Sequence, residues 1–301
     1  MTLRLHRLLA PLSLALGLVL LGPAAARAAD GEATLNPSEE FALPDWVSIK
    51  IGGLDLSINK AVFYVLLATA LTTGVMIWAA RRMAARPTGR VQTVVEMAFG
   101  LMRDNITRGN MDARMAAKWF PFIATLFLFI WFSNMIGYLP LPTNTTHTFD
   151  VFGLEIPSFA LYAATANISV PLVLALVVWI SYHVEGIRAK GFLPYIRSWV
   201  PAGVEGFMVG PILAIEALSH FVRLISLSLR LFANILAGHL LILFMAGGLG
   251  VILGLSALGW ITLPIAIAFF LFEVGLVATL QAFIFATLTA IYLGGATSEH
   301  H

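Results

Sequence analysis

The residue whose placement asks most of physical chemistry is Arg230. It lies in Ser226-Leu-Ser-Leu-Arg-Leu-Phe-Ala-Asn-Ile-Leu-Ala-Gly-His239, and from there to Glu273 no residue is formally charged. A guanidinium near the centre of a membrane helix costs roughly 2.5–3.5 kcal/mol on insertion scales, and it does not escape by deprotonating. Side chains of this kind mark routes along which charge crosses a membrane.

Arg230 has company. At about 100° per residue, Glu216, Ser219, His220, Arg223, Ser226, Arg230 and Asn234 share one arc of a helix otherwise made of Leu, Ile, Phe and Ala. A purely adhesive polar seam between helices is the plainer reading. Two arginines, a glutamate and a histidine in one seam favour an ion pathway. His239 falls nearly opposite Arg230 on the same wheel, so it addresses different neighbours. If the chain turns near residue 256, antiparallel pairing sets Arg230 opposite Gln281 and His239 opposite Glu273. An imidazole facing a carboxylate in an apolar setting suits proton relay, and a structural ion pair is the alternative.

Composition supplies the setting. Of 301 residues, 59% are hydrophobic and 11% charged, with a mean hydropathy of +0.89. Several apolar runs reach the roughly 20 residues that a hydrocarbon core requires. A net charge of +2 and the lack of a basic stripe argue against nucleic acid as a partner. There is no cysteine, which excludes disulfide scaffolds, thiolate metal sites and cysteine nucleophiles. No phosphate-cradling loop ending in Gly-Lys-Ser/Thr occurs, so the chain is not expected to hydrolyse nucleotides alone.

The elements that must position these residues follow from apolar runs and loop charges. Arg4, His6 and Arg7 precede an apolar run at 8–21, and Ala26-Arg27-Ala28 follows, the order of a secretory signal peptide over residues 1–28. An uncleaved short anchor is the alternative, and either delivers the acidic segment 29–60 outside the cytoplasm. A first span is expected at 61–80. The loop after it carries Arg81, Arg82, Arg86, Arg90, Arg103, Arg108, Arg114 and Lys118, and is therefore cytoplasmic. Within it, 91–102 is apolar on one face and reads as a helix on the membrane surface. Further spans are expected at 119–138 and 159–182. The loop between them holds Asp150 and Glu155 with no cation, and Arg188, Lys190 and Arg197 lie beyond the second. Two long apolar stretches complete about five crossings, amino end out and carboxyl end in.

Those last stretches exceed a membrane's thickness. Residues 212–246 contain no proline and one glycine. As one helix they span about 50 Å against a core of about 30 Å, so an unbroken helix must tilt steeply. A kink near Gly238 or an extension beyond the membrane is the alternative. The glycine-rich patch Gly247, Gly248, Gly250 and Gly254 turns the chain, and 256–293 runs back as the second arm of a hairpin. The fold class is thus an all-α polytopic membrane protein.

Ser-Leu-Ser-Leu-Arg230-Leu-Phe-Ala-Asn234 with His239, followed by Leu280-Gln281-Ala-Phe-Ile-Phe, resembles subunit a of F-type ATP synthases. Asn134-Met-Ile-Gly137-Tyr-Leu-Pro140 and Glu216, fourteen residues before the arginine, extend the resemblance over roughly residues 60–295. The resemblance implies a non-catalytic membrane subunit without cofactors or metal, and the signal peptide points to a bacterial inner membrane. It also implies steeply tilted helices against a rotor ring of c subunits, with b-type peripheral stalk subunits as further partners. Protons would enter through one half-channel, ride the ring and leave through another. On this reading Arg230 separates the half-channels, His239 and Glu273 serve entry with Asn134 and Asn167 as lesser members, and Glu216, Ser219 and Ser226 serve exit. Gln281 lies beside Arg230, and Ala233 and Ala237 let a rotor helix approach closely. One departure stands out. Glu273 lies eight residues before Gln281 where the family's spacing is seven, and in a regular helix that displaces it by about 100°.

Two other classes compete. A secondary transporter with a buried Arg–Glu site would usually show paired broken helices in an internal repeat, and none is evident. A non-conducting scaffold would need an acidic partner for Arg230 in this chain, yet no carboxylate lies between Glu216 and Glu273.

Overall fold

A computed structural model describes residues 43–51, 54–55, 57–82, 89–151, 154–201, 203–245 and 258–298. The signal peptide expected at 1–28 and the turn expected in the glycine-rich patch lie outside these residues. Five helices among them are long and apolar enough to cross a membrane, as the sequence requires of an all-α polytopic membrane protein.

Short strands precede the first helix. β1 (Asp45–Val47) pairs with β4 (Ile58–Asn59), and β2 (Lys50–Ile51) pairs with β3 (Leu54–Asp55), both antiparallel. α1 (Lys60–Arg82) opens where the Asn59 side chain accepts the Val62 N–H at 3.1 Å. α2 (Arg90–Gly100) continues into a π-helical stretch, Leu101–Thr107. It is the helix expected at 91–102, and it exposes Val94 and Met97. At its end Arg103 and Arg108 both donate to Asp104, and the bond from Arg103 holds that carboxyl below its ordinary value.

α3 (Ala113–Gly137) is followed by a hairpin of β5 (Leu141–Val151) and β6 (Leu154–Ala160), with Asp150 opposite Glu155 and Leu141 opposite Ala160. This corrects the expected third span. Residues 159–160 belong to β6, and the helix, α4 (Ser169–Lys190), begins ten residues later than hydropathy placed it. The cause is local. Asn167 Oδ1 accepts the Ser169 N–H at 3.0 Å, and Pro171 sits in the first turn, where its missing N–H has no helical partner to lose. α4 ends at Gly191, whose φ of +85° suits only glycine, and α5 (Phe192–Arg197) follows.

α6 (Val209–Leu243) is one 35-residue helix that continues through Gly238. α7 (Leu258–Phe272), a π-turn at Glu273–Val277 and α8 (Ala278–Thr297) follow one another without interruption.

The chain clusters into two compact units. One comprises Met1–Leu66, Ser133–Ala166 and Asn234–Ala278, and its described core is Tyr138, Ile242, Ala266 and Ala278. The other comprises Leu67–Phe132, Asn167–Ala233 and Thr279–His301. Within it Gly294 and Gly186 permit close approach, since a Cβ would meet the Asn110 carbonyl oxygen at 2.3 Å and the Tyr195 ring at 2.2 Å respectively.

Candidate functional site

In the first unit His239 and Glu273 are both buried, and Tyr138 stands between them. Its hydroxyl donates to Glu273 Oε2 at 3.0 Å, and its ring lies over the imidazole with centroids 4.6 Å apart. The direct His239–Glu273 pair expected from hairpin register is absent among the described residues. The register itself holds one residue earlier: a Cβ on Gly238 would lie 2.4 Å from Glu273 Oε2. The carboxylate therefore occupies the space that glycine leaves open, and the histidine points elsewhere. His239 Nδ1 faces Ile235 O at 2.9 Å and Nε2 faces Gly137 O at 3.1 Å. Both partners are pure acceptors, so both contacts are hydrogen bonds only when the ring carries two N–H groups, the imidazolium form.

Asn134 belongs to the same unit. Fully buried, it accepts from Thr165 Oγ1 at 2.7 Å and donates to Ala278 O at 3.3 Å, which spends its amide on fixing elements together. Glu273 opens the π-turn. The extra residue before Gln281 falls in that turn, so the displacement of about 100° expected of a regular helix does not apply. Asn167, in the second unit, spends its side-chain oxygen on the Ser169 N–H at the start of α4.

In the second unit Glu216 Oε1 accepts from Arg223 Nη2 at 3.0 Å, both side chains half-buried. Arg223 also lies over the Tyr292 ring, 5.6 Å from its centroid. The neighbouring His220 is buried. Its Nδ1 bonds the Tyr182 hydroxyl at 3.0 Å and its carbonyl accepts from Trp179 Nε1 at 3.1 Å. Glu216, His220, Arg223, Tyr182 and Tyr292, with Tyr195, Ser198 and Trp199, line a cavity of about 490 Å³. The same unit holds a second pair, in which Lys118 Nζ donates to the buried Glu185.

Ser219, Ser226, Arg230 and Asn234 complete the arc. Ser219 is half-exposed. Ser226 spends its hydroxyl on Arg223 O at 3.3 Å. Arg230 is exposed and forms no ion pair with any described carboxylate, and Ala233, Asn234 and Ala237 are exposed on the same helix. Gln281 is buried, and no hydrogen bond joins it to Arg230 among the described residues.

Sequence reasoning missed Tyr138, Tyr182 and Tyr292. Only Tyr138 carried a signal, lying inside the Asn134–Pro140 segment. The other two are single aromatics in apolar helices, indistinguishable by spacing from packing residues.

Comparison with known proteins identifies the family. The family model described as ATP synthase A chain matches residues 62–294, a span that includes every site residue named above. The chain is 36% identical to ATP synthase subunit a of Rubrobacter xylanophilus over 84% of its length and 90% of the relative's. It is 31% identical to that of Maricaulis maris over 89% and 100%, and 33% identical to that of Parvibaculum lavamentivorans over 89% and 95%. With the matched span reaching from α1 to α8, the chain belongs to the ATP synthase subunit a family.

Proposed function

We propose that this chain is the proton-conducting stator subunit of a rotary F-type ATP synthase in a bacterial plasma membrane. It offers two offset half-channels to a ring of c subunits, with Arg230 between them. The observation that carries this reading is Arg230 itself: exposed, well inside a 35-residue apolar helix, and without a carboxylate among the described residues. Such a cation calls for an anionic partner from another protein, and a rotor carboxylate supplies one. The small exposed Ala233 and Ala237 leave room for a helix to approach, and α6 is long enough to cross the bilayer obliquely.

On the entry side His239 accepts a proton from water and holds it as imidazolium between the Ile235 and Gly137 carbonyls. Losing it breaks one of those bonds, which makes release depend on a nearby acceptor. Glu273 is that acceptor; the Tyr138 hydroxyl holds its carboxylate, and the ring of the same tyrosine lies over the imidazole. The proton passes to the rotor carboxylate, which becomes neutral and tolerates the lipid-facing part of its circuit. On returning it meets Arg230, which favours the ionised form, and the proton leaves by way of Glu216 and the cavity around it. A fall through 100 mV yields about 2.3 kcal/mol per proton to drive rotation. Loop cations put the α1–α3 connection, with its surface helix α2, in the cytoplasm and the β5–β6 hairpin outside.

The test is ATP-driven proton pumping in inverted membrane vesicles, wild type against Arg230→Ala at matched complex abundance. Pumping lost in the variant supports the stator role. Pumping retained moves the chain to a transporter or scaffold reading.

A further inference from the structure

Burial along the last helix does not repeat at one interval. Ala266 and Glu273 are buried seven residues apart, two regular turns. The next buried residue is Ala278, five further on, and along α8 burial then returns every four residues at Ala282, Ala286 and Ala290. A regular helix would bring residue 276 or 277 beneath Glu273, yet Leu276 is 50% exposed. The five-residue step coincides with the π-turn Glu273–Val277, a geometry that absorbs one residue and with it about 100° of rotation.

Both ends of that step are fixed by separate contacts. Upstream, Glu273 meets the Tyr138 hydroxyl and the gap at Gly238. Downstream, the Ala278 carbonyl accepts from buried Asn134, and Ala278 packs with Ala266, Tyr138 and Ile242. If the five residues formed ordinary α-helix, these ends would fall out of phase by about 100°. Either the carboxylate would swing off Tyr138 or Ala278 would leave the core. Gly275 lies inside the turn, is exposed, and has no atom within 4 Å of where a Cβ would stand.

We infer that the π-turn houses one surplus residue, Gly275, and that this surplus is what positions the Glu273 carboxylate. Gly275 is a positioning residue through its place in the count, since it offers no side chain. The segment tolerates the loss of a residue, which returns it to α-helix in the same phase. It does not tolerate the gain of one. That Glu273 serves proton entry rests on the reading above, whereas its phase relative to Ala278 does not.

Two readouts on the whole complex in native membranes test this. The first is cross-linking, which is clean because the chain has no native cysteine. Gly238→Cys paired with Glu273→Cys should give a disulfide on oxidation, and deletion of Gly275 should leave its yield within twofold. Insertion of one alanine after Gly275 should lower the yield at least fivefold and move the reaction to Phe272→Cys or Val274→Cys. The second is proton pumping with Glu273 intact: at least half the wild-type rate in the deletion, less than a tenth in the insertion. A disulfide that shifts to position 272 or 274 on deletion of Gly275 overturns the inference. If that deletion blocks assembly, deletion of exposed Leu276 takes its place, and failure of both also overturns it, because removing a surplus residue must leave the packing intact. The expected cross-links with unchanged pumping in both length variants would uphold the phase argument and count against the entry role of Glu273.

Discussion

Gly238 and Glu273 face each other so closely that a Cβ at position 238 would stand 2.4 Å from Glu273 Oε2 and 2.5 Å from the carboxyl carbon. The glycine keeps open the place into which the carboxylate reaches to accept the Tyr138 hydroxyl. Gly238→Ala should therefore turn Glu273 away without disturbing any backbone. A hydrogen bond to a charged group is worth about 1.5–3 kcal/mol, so pumping should fall on the order of tenfold or more. Complex abundance should hold, because the displaced atoms are the free end of a flexible side chain. Wild-type pumping in this variant would remove Glu273 from the rate-determining route.

Tyr138 has two functions that substitution separates. Tyr138→Phe keeps the ring over His239 and its edge contact with Phe270, whose centroid lies 5.9 Å away, but removes the donor to Glu273. Pumping should drop several-fold at unchanged abundance. Tyr138→Ala also empties a core position next to Ile242 and Ala266, and a loss of about 3–5 kcal/mol should lower the amount of assembled complex. Quantitative immunoblotting beside the pumping assay tells the two apart, and equal abundance in both variants would show that the ring is dispensable for packing.

Glu216 and Arg223 make a half-buried pair seven residues apart on α6. Paired charges with this much exposure contribute about 1 kcal/mol at most to stability. Glu216→Gln should then leave abundance unchanged while slowing proton release several-fold, because an amide neither binds nor yields a proton. Glu216→Asp keeps the titratable group on a shorter stem and should recover part of the rate. Equal rates in the amide and the acid variants would assign the pair a structural role alone.

How far the sequence alone could be followed depended on which residues had no alternative explanation. Arg230 was legible because nothing else accounts for a guanidinium in an apolar helix, and a long helix was legible from the lack of helix breakers over 212–246, although α6 opens three residues earlier and takes Pro211 into its first turn. The His239–Glu273 pairing was not, although the register that suggested it is correct to within one residue. Hairpin register fixes which positions meet but not the direction of side chains, and Tyr138, just past the end of α3, together with the Gly137 carbonyl claimed both groups. The third span started ten residues late because hydropathy does not distinguish a β-strand with Phe159 and Ala160 from the first turns of a helix. The π-turn was foreshadowed only as a spacing that did not fit.

Gly137 offers the sharpest contrast with Gly238, since what lies against it is Ala163, whose Cβ has no rotamer to change and whose backbone stands just behind. A Cβ there would fall 2.3 Å from the Ala163 Cβ, 2.7 Å from its Cα and 3.1 Å from its N. No rotamer change relieves such contacts, and overpacking of this kind costs about 1–3 kcal/mol or more. The Gly137 carbonyl also receives His239 Nε2, so a shift of the chain here moves the acceptor that holds the imidazolium. Gly137→Ala should therefore reduce the complex itself, at least halving its abundance in membranes, whereas Gly238→Ala leaves abundance intact and reduces pumping. Adding Ala163→Gly should restore part of the abundance: it removes the nearest atom but leaves the Cα at 2.7 Å. If Gly137→Ala assembles normally and the second substitution changes nothing, the close packing of α3 against the segment before α4 is not what fixes the His239 site.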